Sequence, residues 1–155
     1  MYKIRNADIH DVDNIVNIMN EIDHPLFIKD DIDYVLRHIQ DEGFILIAEY
    51  KDIDAYLMIH YCDYDQDVNL HHIAYMDSVG VRNSARGQGL MRILIQHAEK
   101  LLEGEYCYYM ATVHPDNIYS LRVFESLGYK CTKTVYRYNN NMRNLMLKKR
   151  RINLR

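Results

Sequence analysis

The apolar positions change spacing several times along the chain, and each change marks an element. Residues 2–9 read as a first strand, and Asp8 is placed to cap a helix. In that helix Val12, Ile15, Val16, Met19 and Ile22 recur at three- and four-residue intervals. His24-Pro25 stops it, and Ile32, Val35, Leu36 and Ile39 form one face of a second helix, with Gly43 as its C-terminal cap. Residues 44–50 and 55–61 are continuous apolar runs around the turn Lys51-Asp52-Ile53-Asp54, which predicts a β-hairpin. Residues 62–69 form a polar, acidic loop, and residues 72–81 a further strand.

From Gly89 the period is helical again, with Leu90, Ile93, Leu94, His97 and Leu101 expected on one face. Residues 106–113 read as a buried strand, and His114-Pro115-Asp116-Asn117 as a turn that caps the next helix. That helix runs to Leu127 and Gly128 ends it, before two strands at 129–138 and 143–148 around Asn139-Asn140-Asn141. The order βααβββαβαββ predicts a mixed central sheet of about seven strands flanked by four helices, α/β (α+β) in class. A chain of 155 residues fits one domain over 1–155.

Composition narrows the function classes. An apolar fraction of 48% with 26% charged residues is that of a globular chain rather than a disordered one. No apolar run approaches the roughly 20 residues that span a bilayer, and Met1-Tyr2-Lys3-Ile4-Arg5 lacks a secretory signal. Cys62, Cys107 and Cys131 are an odd set without a CxxC, which reads as free buried thiols and a cytoplasmic location. The basic run Lys148-Lys149-Arg150-Arg151, with Arg155, reads as a solvated end, so neither nucleic acid nor membrane is an expected partner. Asp63-Tyr64-Asp65-Gln66-Asp67 opens like a calcium loop, but Val68 replaces the turn glycine and Ala74 the closing glutamate. His60, Cys62, His71 and His72 match no common zinc spacing, so no metal is expected.

The chemistry concentrates in Val79-Gly80-Val81-Arg82-Asn83-Ser84-Ala85-Arg86-Gly87-Gln88-Gly89-Leu90-Met91. A strand enters a loop with two glycines that opens a helix. Glycine lets backbone N–H groups face a ligand closely, and the helix start adds unpaired donors and partial positive charge. A phosphate is the expected guest, with Arg86 adding a full charge. The loop is neither a P-loop nor a dinucleotide fingerprint.

Arg86-Gly87-Gln88-Gly89-Leu90-Met91 resembles the acetyl-CoA motif of the GCN5-related N-acetyltransferases. The stretch from Asn117-Ile118-Tyr119-Ser120 to Phe124 and Gly128-Tyr129 is similar to that family's second motif, at the matching separation. The resemblance covers nearly the whole chain. It implies acetyl-CoA as cosubstrate, held by Arg86, Gly87, Gln88, Gly89, Leu90, Met91, Asn117 and Ser120, with the backbones of Val79 and Val81 polarising the thioester. It implies direct transfer to an amine and places Asp77 where relatives carry the general base, with His72 and His114 as rivals. A carboxylate suits that role when burial makes it more basic.

Two departures stand out. Met91 replaces a small residue, which predicts looser packing beneath the pyrophosphate. Phe124 stands where many members carry a Tyr that protonates the leaving thiolate, and a phenyl ring cannot donate a proton. Tyr119, Tyr129 or water could substitute, or the thiolate could leave unassisted, given a thiol pKa of about 8.5. The expected function is therefore an N-acetyltransferase acting on a small-molecule or peptide amine. A non-catalytic CoA-binding regulatory or interaction module is the alternative, and a homodimer is compatible with either. Residues 1–67 hold 16 acidic against 5 basic residues, and the remainder 6 against 14. If the first part borders the acceptor, that asymmetry favours a cationic one.

Overall fold

A computed structural model describes residues 1–22 and 31–150. The expected helix stop at His24-Pro25 and the end of the basic tail lie outside the described residues. The elements are β1 (Lys3–Asn6), α1 (Val12–Glu21), α2 (Ile32–Arg37), β2 (Gly43–Tyr50), β3 (Asp52–Asp65), β4 (Leu70–Val81), α3 (Leu90–Leu102), β5 (Tyr108–Val113), α4 (Ile118–Ser126), β6 (Lys130–Arg137) and β7 (Asn141–Lys149). They build one seven-stranded sheet in the order β1-β2-β3-β4-β5-β7-β6. Every neighbouring pair is antiparallel except β4 and β5.

Strand alternation divides the core into two layers. Ile45, Ile47, Tyr56 and Met58 point to one face and pack under α1 and α2 against Ile15, Ile18, Met19 and Val35. Their neighbours Leu46, Ala48, Leu57 and Ile59 point to the other face and pack under α3 with Leu90, Met91, Leu94, Ile95 and Ala98. The central strands therefore read as unbroken apolar runs. Among the described residues no helix is long and apolar enough to cross a membrane.

Several local expectations change. Asp8 caps a short 3₁₀ turn at Ile9–Asp11, its side chain accepting from the His10 backbone N–H, and α1 follows from Val12. In α1, Ile18 is buried and Val16 only partly so. In α2 the leading Ile32 is exposed, and a π-type turn, His38–Glu42, carries the chain into β2. Gly43 is not a left-handed cap: its φ of 170° is extended. A Cβ there would stand 1.8 Å from the Ile59 carbonyl oxygen, so close strand approach is what requires glycine. The hairpin turns on Lys51 alone, because β3 already begins at Asp52 and buries Ile53. In α3 the inward stripe is Leu90, Met91, Leu94, Ile95, Ala98 and Leu102, whereas Ile93 and Leu101 are 41% and 53% exposed. Cys62, Cys107 and Cys131 are free but not buried, and Cys131 is exposed.

β3 extends four residues past its expected end, into the acidic loop, and Asp65 explains how. Its carboxylate accepts from Arg137 Nη2 at 2.8 Å, the Tyr75 hydroxyl and the Asp67 backbone N–H at 2.9 Å. Asp67 also receives Arg137 Nη2, at 2.7 Å. These acids therefore brace the β3–β4 turn to β6. Burial alone would raise the Asp65 pKa, but the Tyr75 and Arg137 donors outweigh it and hold the carboxyl below its ordinary value. We expect Asp65→Asn to cost about 2 kcal/mol in urea unfolding at pH 7, because Arg137 loses its buried partner. A depressed folded pKa stabilises above the unfolded value, so in the wild type this contribution should fade as pH drops below about 4. The variant should lack that acid-dependent loss.

Candidate active site

The parallel pairing of β4 with β5 is short. It joins Ile73, Ala74 and Tyr75 to Tyr108, Tyr109 and Met110 and then stops, although β4 continues to Val81 and β5 to Val113. Beyond it the two strands part around a cleft of about 270 Å³. One wall is residues 76–79 of β4, and the other is residues 111–114 at the end of β5. Asn117, Ser120 and Phe124 enter from α4, and Tyr34, Tyr138 and Arg143 complete the lining. Alternate backbone N–H groups along the unpaired edge of β4 face this gap, where a ligand carbonyl can take the place of the missing strand.

Asp77 owes its position to a bulge. The β3–β4 register runs Met58↔Ser78 and then Ile59↔Met76, so Asp77 is the extra residue without a partner on β3. A bulge re-aims a side chain, and this one turns a carboxylate into the cleft. The Tyr34 hydroxyl donates to Asp77 Oδ2, and His38 Nε2 lies 3.3 Å from the same oxygen. His38 is fully buried, with Nδ1 3.0 Å from the Tyr34 carbonyl. Burial pushes the His38 pKa down, but the Asp77 carboxylate and the Tyr34 carbonyl outweigh it and leave it raised. One ligand atom each from His38, His60 and Asp77 lie within 4.8 Å of one another, so this is the group among the described residues that could hold a metal ion.

The glycine loop follows β4 directly. Arg82 anchors its start, donating through Nη2 to the Ile53 carbonyl at 3.0 Å and pairing with Glu21 at 3.3 Å and Asp54 at 3.5 Å. Residues 86–89 are exposed. Gly87 and Gly89 have φ of 82° and 72°, in the left-handed region, and a Cβ at either would meet nothing within 4 Å. Gly89 is the N-cap of α3 and contributes no side-chain cap, so the first-turn N–H groups of a 13-residue helix open onto solvent beside Arg86. Gln88 turns back, its Nε2 donating to the Ala85 carbonyl at 3.3 Å.

Leu90 and Met91 bury their side chains in the core and contribute only backbone to the loop. Met91 thus packs between α3 and the sheet. Val79 lines the cleft, while Val81 packs on the core beyond it. Asn117 caps α4 by accepting from the Ser120 N–H at 3.3 Å.

The rival groups separate clearly. His72 is not part of the cleft lining: it stacks on Tyr106 at 4.1 Å, and its Nε2 lies 2.9 Å from the Glu105 carbonyl. His114 is on the cleft wall, with Nδ1 accepting from the Asp116 N–H at 3.0 Å. The Tyr129 hydroxyl donates to Glu99 at 2.7 Å, away from the cleft, and burial with that carboxylate drives its pKa well above normal. Tyr119 is exposed. Phe124 does face the cleft, edge-on to Tyr129 at 5.0 Å.

Sequence reasoning missed Tyr34, His38, Tyr138 and Arg143. Tyr138 bonds through its hydroxyl to Thr112 Oγ1 at 3.1 Å, and the Arg143 guanidinium lies over its ring at 5.6 Å. A larger concavity, about 960 Å³, lies between α3 and the end of β7 around Glu99 and Lys148. It has neither the open strand edge nor the glycine loop.

The fold has many solved counterparts. NAA60 of Arabidopsis thaliana, solved in complex with a bisubstrate analogue, superposes with a TM-score of 0.81 at 14% identity over 97% of this chain and 100% of its own. Naa20 of Chaetomium thermophilum, also with a bisubstrate analogue, gives 0.79 at 19% identity over 95% and 86%. The putative acetyltransferase yncA of Salmonella typhimurium, solved with its cofactor acetyl-CoA, gives 0.73 at 19% identity over 100% and 97%. Comparison with curated proteins by sequence finds no match. Residues 12–129 match the family model described as the acetyltransferase (GNAT) family. That match takes in the cleft strands, the glycine loop and both α3 and α4, and the chain belongs to the GNAT acetyltransferase family.

Proposed function

We propose that this chain is an acetyl-CoA-dependent N-acetyltransferase that works by direct transfer inside the β4–β5 cleft. The observation that carries this reading is the early end of β4–β5 pairing, which leaves an open strand edge leading into the Gly87–Gly89 loop and the bare start of α3. In this reading the CoA phosphates rest on the first-turn N–H groups of α3 and on Arg86. The pantetheine arm then runs along the open edge of β4 past Val79, Asn117 and Ser120.

The amine reaches the thioester beside Asp77. Its ammonium proton passes to the Asp77 carboxylate, the freed nitrogen attacks the carbonyl carbon, and the oxyanion is held by cleft-facing N–H groups of β4. The C–N bond forms and the C–S bond breaks. The thiolate leaves without a side-chain acid at Phe124, which a thiol pKa of about 8.5 permits, and takes up through water the second proton that the nitrogen sheds as the amide forms.

Two features bear on the acceptor. The bisubstrate analogues bound by NAA60 and Naa20 support two substrates meeting on one such fold. Among the described residues, none of the acids in residues 1–67 lines the cleft. Several of them instead brace the fold through Arg5, Arg82 and Arg137. The cleft's own formal charges are those of Asp77 and Arg143, so the sequence-wide asymmetry gives no support for a purely cationic acceptor.

The test is release of free thiol from acetyl-CoA across a panel of amines. Amine-dependent release is expected, and acetyl-CoA binding without release by any amine would favour the non-catalytic module. Phe124→Tyr should leave kcat within a few-fold of wild type or raise it. A loss above about 100-fold, with acetyl-CoA affinity retained, would mean that the phenyl face itself is needed.

A further inference from the structure

Arg143 is the feature of the cleft that acetyl transfer alone leaves unexplained. It projects from β7 into the lining shared with Asp77, yet it is only 5% exposed. Among the described residues it forms no salt bridge: Nη1 donates to the neighbouring Met142 carbonyl at 2.8 Å, and its charge rests on the Tyr138 ring. Even the less buried Arg137, on the neighbouring strand β6, has two carboxylates at 2.7 and 2.8 Å. A buried guanidinium is normally matched in that way, because its desolvation is costly and its five donors need acceptors. Burial pushes the Arg143 pKa down with only the Tyr138 side opposing, the direction expected of a cation without a matching anion. A ligand in the cleft can supply the acceptors that the protein does not.

The position selects which ligand. The phosphates of the proposed cosubstrate belong at the start of α3, beyond the end of β4, and Arg86 serves them there. Arg143 sits across the sheet on β7, beside the β6–β7 turn, on the same cleft as the carboxylate that takes the amine proton. The cleft thus carries one negative and one positive side chain. An acceptor that presents an ammonium to Asp77 and a carboxylate to Arg143 satisfies both.

We propose that Arg143 is the specificity-determining residue of the acceptor site and that the acceptor is an amine that also bears a carboxylate, such as a free amino acid. The planar guanidinium takes a carboxylate through two parallel hydrogen bonds, with the Tyr138 ring fixing its plane. This inference rests on the transferase reading above, since it places the acceptor amine at Asp77. A peptide with an acidic side chain near its amino terminus offers the same chemistry from a larger molecule.

The experiment compares matched acceptors by kcat/KM with acetyl-CoA saturating. One arm pairs free amino acids with their carboxamides, and the other pairs short peptides bearing Asp or Glu near the amino terminus with their Asn or Gln counterparts. The free amino acids are expected to win over the carboxamides by about 10- to 100-fold. Arg143→Gln should reduce that ratio to near one, and Arg143→Lys should keep part of it, because charge survives without the fork. A preference confined to the peptide arm would overturn the free amino acid in favour of a peptide acceptor. Equal rates within both arms in the wild type would overturn the inference while leaving the transferase reading intact, and so would an unchanged ratio in a folded Arg143→Gln variant. The wild-type comparison decides the matter even where Arg143→Gln does not fold. Acetyl-CoA binding with no turnover of any acceptor would instead overturn the transferase reading, and this inference with it.

Discussion

The Asp77→Asn variant is expected to lose about 10²- to 10⁴-fold in kcat while its affinity for acetyl-CoA stays near that of the wild type. The substitution keeps the shape and leaves an amide oxygen able to accept from the Tyr34 hydroxyl. It removes the ability to take a proton, together with the negative charge that faces His38 Nε2 at 3.3 Å. The bulge that presents position 77 is a backbone feature of the β3–β4 pair and should survive. The proposed cofactor loop lies beyond the far end of β4 and should not sense the change. A variant with kcat close to wild type would move the base elsewhere, and His114, the other titratable side chain on the cleft wall besides Arg143 and the two tyrosines, would be the next candidate.

Gly89→Val is expected to weaken acetyl-CoA binding by about 100-fold or more, with a much smaller effect on folding. The residue stands at φ 72° and ψ 22°, and holding a side-chain-bearing residue in that region costs about 1–2 kcal/mol. A new Cβ meets no protein atom within 4 Å, so the folded chain accommodates its volume. That same open space, at the mouth of α3, is where the proposed phosphates approach the backbone N–H groups. Valine therefore both strains the loop and stands in the ligand's path. Calorimetric titration with acetyl-CoA, alongside a thermal melt, separates the two contributions. Unchanged affinity in a folded variant would remove the phosphates from this loop.

The strand and helix order was readable from the chain because the core lies on both sides of one sheet. The doubly buried strands show as solid apolar runs such as Phe44-Ile45-Leu46-Ile47-Ala48, and the helices as spaced stripes. Periodicity was less able to choose between adjacent stripes. In α3 both Leu94–Leu101 and Leu94–Ala98–Leu102 spacings exist, and only packing against β3 and β4 decides for the second. The glycine loop was legible because its chemistry is local: two glycines, an arginine and a helix start in one short segment.

The rest of the cleft was not legible, because it depends on tertiary events. The bulge at Asp77 arises from a register shift against β3, which no spacing within β4 announces. His38 enters through a π-type turn and meets Asp77 across 39 positions of sequence. Arg143 read as an ordinary strand residue, and only its burial without a carboxylate marks it out. The acidic first half looked like a long-range field, but several of its acids serve as local braces through Arg5, Arg82 and Arg137.

The central claim is that this cleft moves an acetyl group from sulfur to nitrogen. Its most direct test uses acetyl-CoA labelled in the acetyl group, incubated with the protein and a mixed panel of amines and amino acids, with products read by mass spectrometry. The account predicts that label appears on the nitrogen of at least one acceptor, in step with free CoA, and that Asp77→Asn suppresses both together. Label that stays entirely on CoA, while calorimetry shows acetyl-CoA bound, would contradict it.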